Sequence, residues 1–138
     1  MGVAPRLNDD RPTLRHGQSR GHHRPTVPVA DTSLDYTTAR PIGDAVLDTT
    51  FCDLIDGGSG VELAGPTGAP GVRVWADPAF SYWQVFTADT LPGDRHRRAV
   101  AVEPTTCPPD AFRSGGGVLT LEPGEAWRGS WGITPQHP

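Results

Sequence analysis

Two carboxylates in this chain stand where a short apolar run ends, and such a position can hold a polar ligand. Glu103 follows the run Ala-Val-Ala-Val, and Asp48 follows Ala-Val-Leu. Because side chains alternate along a strand, Glu103 shares its face with the small residues Ala99 and Ala101, which leave open space. A carboxylate beside open space can accept paired hydrogen bonds from vicinal hydroxyls. The alternative is that both are ordinary strand-end acids in solvent.

Four aromatic residues follow in the middle of the chain, and an aromatic ring can stack on the apolar face of a sugar. They are Trp75, Tyr82, Trp83 and Phe86. For most of them the hydrophobic core is the simpler place, since large aromatic side chains dominate the packing of small domains.

The other side chains that could do chemistry also have ordinary structural explanations. Arg95, Arg97 and Arg98 form a charge run that is typical of a solvated face, with a phosphate site as the alternative. His96 lies inside that run, Asp89 reads as a turn residue, and Cys107 has no base nearby in the sequence. The histidines do not follow a zinc-binding spacing, so we expect no metal site.

Composition points to one modest domain. The chain has 138 residues, 20% of them charged, and a formal net charge of −4, which gives no electrostatic case for nucleic acid. Its 17 glycines and 15 prolines favour a loop-rich β protein. Residues 1–29 are basic, polar and broken by proline, so we expect a disordered arm there and an ordered domain over residues 30–138.

No apolar signal core and no run of membrane-spanning length are present, so we expect a cytoplasmic protein without a membrane partner. In that compartment Cys52 and Cys107 are expected as thiols rather than as a disulfide.

Short alternating segments separated by turn residues predict an antiparallel β-sandwich, or a piece of one. No helical period is visible. The expected strands are Thr49–Leu54, Val61–Leu63, Val72–Trp75, Tyr82–Thr87, Ala99–Glu103, Val118–Glu122 and Ala126–Ile133.

Five blocks in order resemble the C-terminal part of the aldose 1-epimerases (galactose mutarotases), especially the actinobacterial members. The blocks are residues 40–51, 75–77, 84–92, 101–112 and 121–125, and the likeness covers about residues 26–138. The resemblance implies part of an antiparallel β-supersandwich that interconverts the α and β anomers of aldohexoses without a cofactor. It further implies that Glu103 is the general base and that Asp48, in the block Leu-Asp-Thr-Thr-Phe, binds sugar hydroxyls.

The resemblance does not extend to the upstream block in which the family carries its general-acid histidine. Three alternatives follow: a truncated aldose 1-epimerase, a non-catalytic carbohydrate-binding or interaction module, or a remnant without a stable fold. A partial sandwich also leaves strand edges uncovered, and uncovered edges can pair with a second copy of the chain, so self-association is one expected partner interaction.

Overall fold

Nine β-strands make up most of the regular structure in the computed structural model, which describes residues 4–7, 15–16, 26–52, 59–65 and 69–137. The strands in these residues are β1 (Ala4–Leu7), β2 (Arg15–His16), β3 (Val27–Pro28), β4 (Asp48–Cys52), β5 (Ser59–Ala64), β6 (Gly71–Ala76), β7 (Tyr82–Phe86), β8 (Ala101–Thr105) and β9 (Trp131–Gln136). A single-turn helix, α1 (Ala111–Ser114), and a 3-10 turn at Gly93–Arg95 complete the described elements.

The strands form two antiparallel sheets. The four-stranded sheet has the order β1-β5-β6-β9, and the five-stranded sheet has the order β3-β2-β4-β7-β8. The segments that form β6 and β7 are rich in β-branched and aromatic residues, which fit a pleated, half-buried surface. The all-β antiparallel fold predicted from the sequence is therefore confirmed.

One hydrophobic cluster joins the two sheets and the segment between β3 and β4. Its buried members are Val61, Val74 and Ala76 from the four-stranded sheet, Phe51, Trp83 and Val85 from the five-stranded sheet, and Val29, Tyr36, Ile42 and Leu47 from the segment. Since both sheets contribute side chains to the same core, they pack as the two layers of a sandwich.

The segment Val118–Glu122, predicted to be a strand, is irregular, and this prediction is wrong. Gly115 and Gly117 enter it with positive φ angles, and Leu119 and Leu121 are about half exposed. Alternating residues form a strand only where a neighbouring strand pairs with them, and none of the described strands does so here. The final strand, expected at Ala126–Ile133, begins later, at Trp131, and runs to Gln136.

A short helix that the sequence pattern did not predict follows β8. Asp110 enters it in the left-handed conformation and pairs with Arg113 one turn later, and Gly115 ends it with a positive φ. A single helical turn is too short to leave a period of 3.6 in the sequence.

The predicted disorder of residues 1–29 falls mostly on residues outside the described part and stays a prediction. Within that range the structure places β1, β2 and β3. Cys52 is buried and Cys107 is half-buried, both as thiols. Across the described residues, no helix has the length and apolar character needed to span a bilayer.

Candidate functional site

Asp48 and Glu103 lie on the same face of the five-stranded sheet. In the register of β4, β7 and β8, Thr50, Gln84 and Glu103 form one cross-strand row. Asp48 lies two residues before Thr50 on β4, so its side chain leaves the sheet on the same side. The two carboxylates chosen from the sequence therefore flank β7, two strands apart, which is about 10 Å across the sheet.

Gln84, at the centre of β7, links this face by hydrogen bonds. Its Nε2 donates to Asp48 Oδ1 at 2.7 Å, and its Oε1 accepts from Thr50 Oγ1 at 2.5 Å. Thr50 is buried, whereas Asp48 and Glu103 are exposed. The amide is thus held in one orientation, and its oxygen and nitrogen cannot exchange places without breaking both bonds.

Two aromatic rings accompany the polar row. Tyr82 and Phe86 occupy the same face as Gln84 on β7 and are half-buried, and Phe86 lies in the row between Asp48 and Ala101. Trp83, by contrast, points to the core and is 1% exposed, and Trp75 belongs to the other sheet. The core placement favoured for most of these aromatics therefore holds for Trp83 only.

We call the surface formed by Asp48, Thr50, Gln84, Phe86 and Glu103 the polar face. It offers two carboxylates and one amide as hydrogen-bonding groups above a partly apolar floor. Such a combination suits a small molecule with several hydroxyl groups on one side and carbon–hydrogen bonds on the other.

The start of β4 is fixed by a second hydrogen-bond network. Leu47 N donates to Thr87 Oγ1 at 2.9 Å, and Thr87 N donates to Leu47 O at 2.9 Å. Thr87 Oγ1 also donates to a carboxylate oxygen of Asp89. Because Leu47 directly precedes Asp48, this network fixes the backbone position from which the Asp48 side chain extends.

Arg97 joins the same network from the connection between β7 and β8. Its Nη1 pairs with Asp89 and donates to Ala45 O at 3.1 Å, while Nη2 donates to Gly43 O at 2.6 Å. The hydrogen bond from Thr87 and the bond and charge of Arg97 hold the pKa of Asp89 below its usual value. Asp89 therefore does more than the turn role predicted for it, and the guanidinium of Arg97 is bound internally rather than solvated.

The other candidates from the sequence stay apart from the polar face. His96 is exposed, and its Nδ1 lies 2.9 Å from the carbonyl oxygen of Asp89, to which it donates. Among the described residues, no group of three His, Cys, Asp or Glu side chains could hold a metal ion.

An open cleft of about 280 Å³ lies elsewhere, between one end of the four-stranded sheet and the segment that leads into β8. Leu63, Val72, Arg98 and Val100 are among its lining residues, and neither Asp48 nor Glu103 takes part. We place the candidate site on the polar face rather than in this cleft, because the cleft offers few oriented polar groups.

Gln84 and Thr50 are the site residues that sequence reasoning missed. A signal was present: Gln84 is the one amide inside the aromatic and aliphatic run Tyr-Trp-Gln-Val-Phe. A polar residue in such a run, on the same face as an acid of a neighbouring strand, indicates a row of polar side chains on that face of the sheet.

The sequence is similar to that of a bacterial protein. The chain is 33% identical over 109 residues to YihR of Escherichia coli (strain K12), a protein described as uncharacterized. The match covers 78% of this chain and 33% of YihR, so the chain spans about a third of the length of this curated relative. No protein-family model matches the chain, and no solved structure matches it.

Proposed function

We propose that the polar face binds an aldohexose and that the chain carries the base half of an aldose 1-epimerase site. The observation that carries this proposal is the position of Asp48 and Glu103 on one face, on either side of Gln84. Asp48 and Glu103 come from separate sequence blocks, 55 positions apart, and the pairing of β4, β7 and β8 brings them to one surface.

The proposed reaction is the one that the resemblance to aldose 1-epimerases implies, with Glu103 of this face as its base. The Glu103 carboxylate takes the proton from the anomeric hydroxyl, while an acid delivers a proton to the ring oxygen as the bond between C1 and that oxygen breaks. The open aldehyde rotates about its C1–C2 bond and closes from the other side, and the protons return. Asp48 and Gln84 accept or donate hydrogen bonds to neighbouring hydroxyls and hold the ring against Phe86.

A second candidate function is sugar binding without turnover. It is favoured by the position of the described histidine side chains: His96 is engaged with the Asp89 carbonyl, and His137 follows β9. Neither belongs to the polar face. If water has to supply the acid, the rate gain of one positioned proton transfer, about 10²–10⁴-fold, is lost.

Polarimetry tests the epimerase proposal. Freshly dissolved α-glucose or α-galactose is mixed with the protein, and the change in optical rotation is followed against buffer. We expect acceleration by the native chain and a loss of about 10²-fold or more in Glu103→Gln. Glu62→Gln is the matched control, because Glu62 is a half-buried glutamate on β5 of the other sheet.

Ligand-induced stabilisation separates the two candidates. A sugar that binds only the folded state raises the free energy of unfolding by about 2.7 kcal/mol at a hundred times its dissociation constant. A rise that Asp48→Asn abolishes, without any acceleration in the polarimeter, supports binding alone. Neither acceleration nor stabilisation by any aldohexose would end both proposals.

A further inference from the structure

The inward side of β9 is exposed, although its neighbours on the same sheet face are buried. Ile133 lies directly across from Val74, and Val74 from Val61, so the three side chains share one face. Val61 and Val74 are 3% and 6% exposed, whereas Ile133 is 61% exposed. Trp131, across from the buried Ala76, is 56% exposed. The core that covers β5 and β6 therefore ends before it reaches β9.

β9 is also an edge strand among the described strands, and its sequence has no charged side chain to oppose pairing. It stands last in the order β1-β5-β6-β9. Its residues, Trp-Gly-Ile-Thr-Pro-Gln, include no charged side chain, and its one proline stands near its end. The edge strand β8 of the other sheet differs in charge, since Glu103 stands at its centre, while its proline, like that of β9, is the next-to-last residue. Charge and proline are the usual means by which monomeric proteins keep sheet edges from pairing.

We propose that β9 pairs with β9 of a second copy of this chain about a two-fold axis. Two identical edge strands related by such an axis are antiparallel, so the two four-stranded sheets would join into one continuous antiparallel sheet. No like charges meet across the axis because β9 is uncharged. The exposed side chains of Trp131 and Ile133 would lie beside those of the second copy and be covered by them.

The size of this surface sets the expected strength of the dimer. Trp131 and Ile133 leave roughly 250 Å² of side-chain surface open in each copy, from their exposed fractions and the usual areas of such side chains. A stable interface buries about 800 Å² on each partner. We therefore expect a weak dimer that forms only as the protein concentration is raised.

Sedimentation equilibrium of the full chain, from low micromolar to several hundred micromolar, tests the proposal. The mass should rise with concentration from 14.7 kDa to twice that value, and the melting temperature should rise with it. Ile133→Lys should remain a monomer at every concentration. Val27→Lys is the matched control, since Val27 is an exposed valine on β3, one of the two edge strands of the other sheet. The mass of this variant should rise as in the native chain.

Three results would overturn the proposal: a native chain that stays at 14.7 kDa, a mass that grows past two chains, or a loss of dimer in Val27→Lys as well. Ile133 is already mostly exposed, so a lysine there leaves the buried core intact, and circular dichroism checks that it does. If the variant does not fold, the concentration dependence of the native melting temperature still decides the question. None of these readouts depends on sugar binding or catalysis.

Discussion

Replacing Gln84 by glutamate tests whether the polar face is the hydrogen-bonded unit described above. The substitution keeps the shape of the side chain and puts a carboxylate oxygen where Nε2 now donates to Asp48 Oδ1 at 2.7 Å. A favourable contact becomes a repulsive one. The bond from Thr50 survives, because the new side chain can still accept it.

The magnitude follows from two terms. Losing one hydrogen bond costs about 1 kcal/mol of unfolding free energy. Two negative charges about 3 Å apart repel by about 1.4 kcal/mol at the dielectric constant of water, which suits the exposed carboxylate of Asp48. We expect Gln84→Glu to lose about 2 kcal/mol of stability at about pH 8, and less than about 1 kcal/mol at about pH 4, where the introduced carboxyl group can hold a proton and donate it to Asp48.

Urea denaturation followed by tryptophan fluorescence measures this loss at both pH values, with the native chain alongside. Gln136→Glu is the matched control, because Gln136 is a half-buried glutamine on β9 of the other sheet. A loss that is the same at both pH values, or no larger than that of the control, would refute the hydrogen bond between Gln84 and Asp48.

Two further predictions concern the scaffold around the site. The hydrogen bond from Thr87 and the pairing with Arg97 lower the pKa of Asp89 from 3.8, so this carboxylate contributes stability above pH 3.8 that is lost as the pH falls toward the lowered pKa. Thermal melts from neutral to acidic pH should therefore show a stability gap between the native chain and Asp89→Asn that narrows below pH 3.8; a constant gap contradicts this. Trp83 is 1% exposed in the core, so Trp83→Ala should lower the free energy of unfolding by about 3–5 kcal/mol, and Trp83→Phe should lower it by less. Equilibrium unfolding measures both, and equal losses would show that the indole ring is not tightly packed.

The sheet-forming segments of this chain could be predicted from the sequence because their patterns are local. Tyr82–Phe86 is rich in aromatic and β-branched residues, which predict a strand, and the structure buries every second side chain in it. Turn residues such as Asp77-Pro78 separate β6 from β7 and limit each strand to a few residues. Local propensity failed at Val118–Glu122, where the residues alternate as in a strand but none of the described strands pairs with them.

The polar face could not be predicted from local sequence pattern alone. Parity along each strand can be read from the sequence, but the register between β4, β7 and β8 depends on how the sandwich packs. Only that register sets Gln84 beside Glu103. The same limit applies to Arg97, whose carbonyl partners Gly43 and Ala45 lie more than fifty residues away in the chain.

The pairing of β6 with β9 has a consequence for how the chain is made. β6 ends at Ala76, and β9 begins at Trp131, so a growing chain on the ribosome carries β6 for more than fifty residues before its neighbour on that side exists. During that interval the backbone groups on one edge of β6 can bind another nascent strand. Long-range pairing of this kind slows folding and exposes intermediates that are prone to aggregate. Slow synthesis at low temperature is therefore expected to raise the soluble yield of this protein more than a higher expression level does.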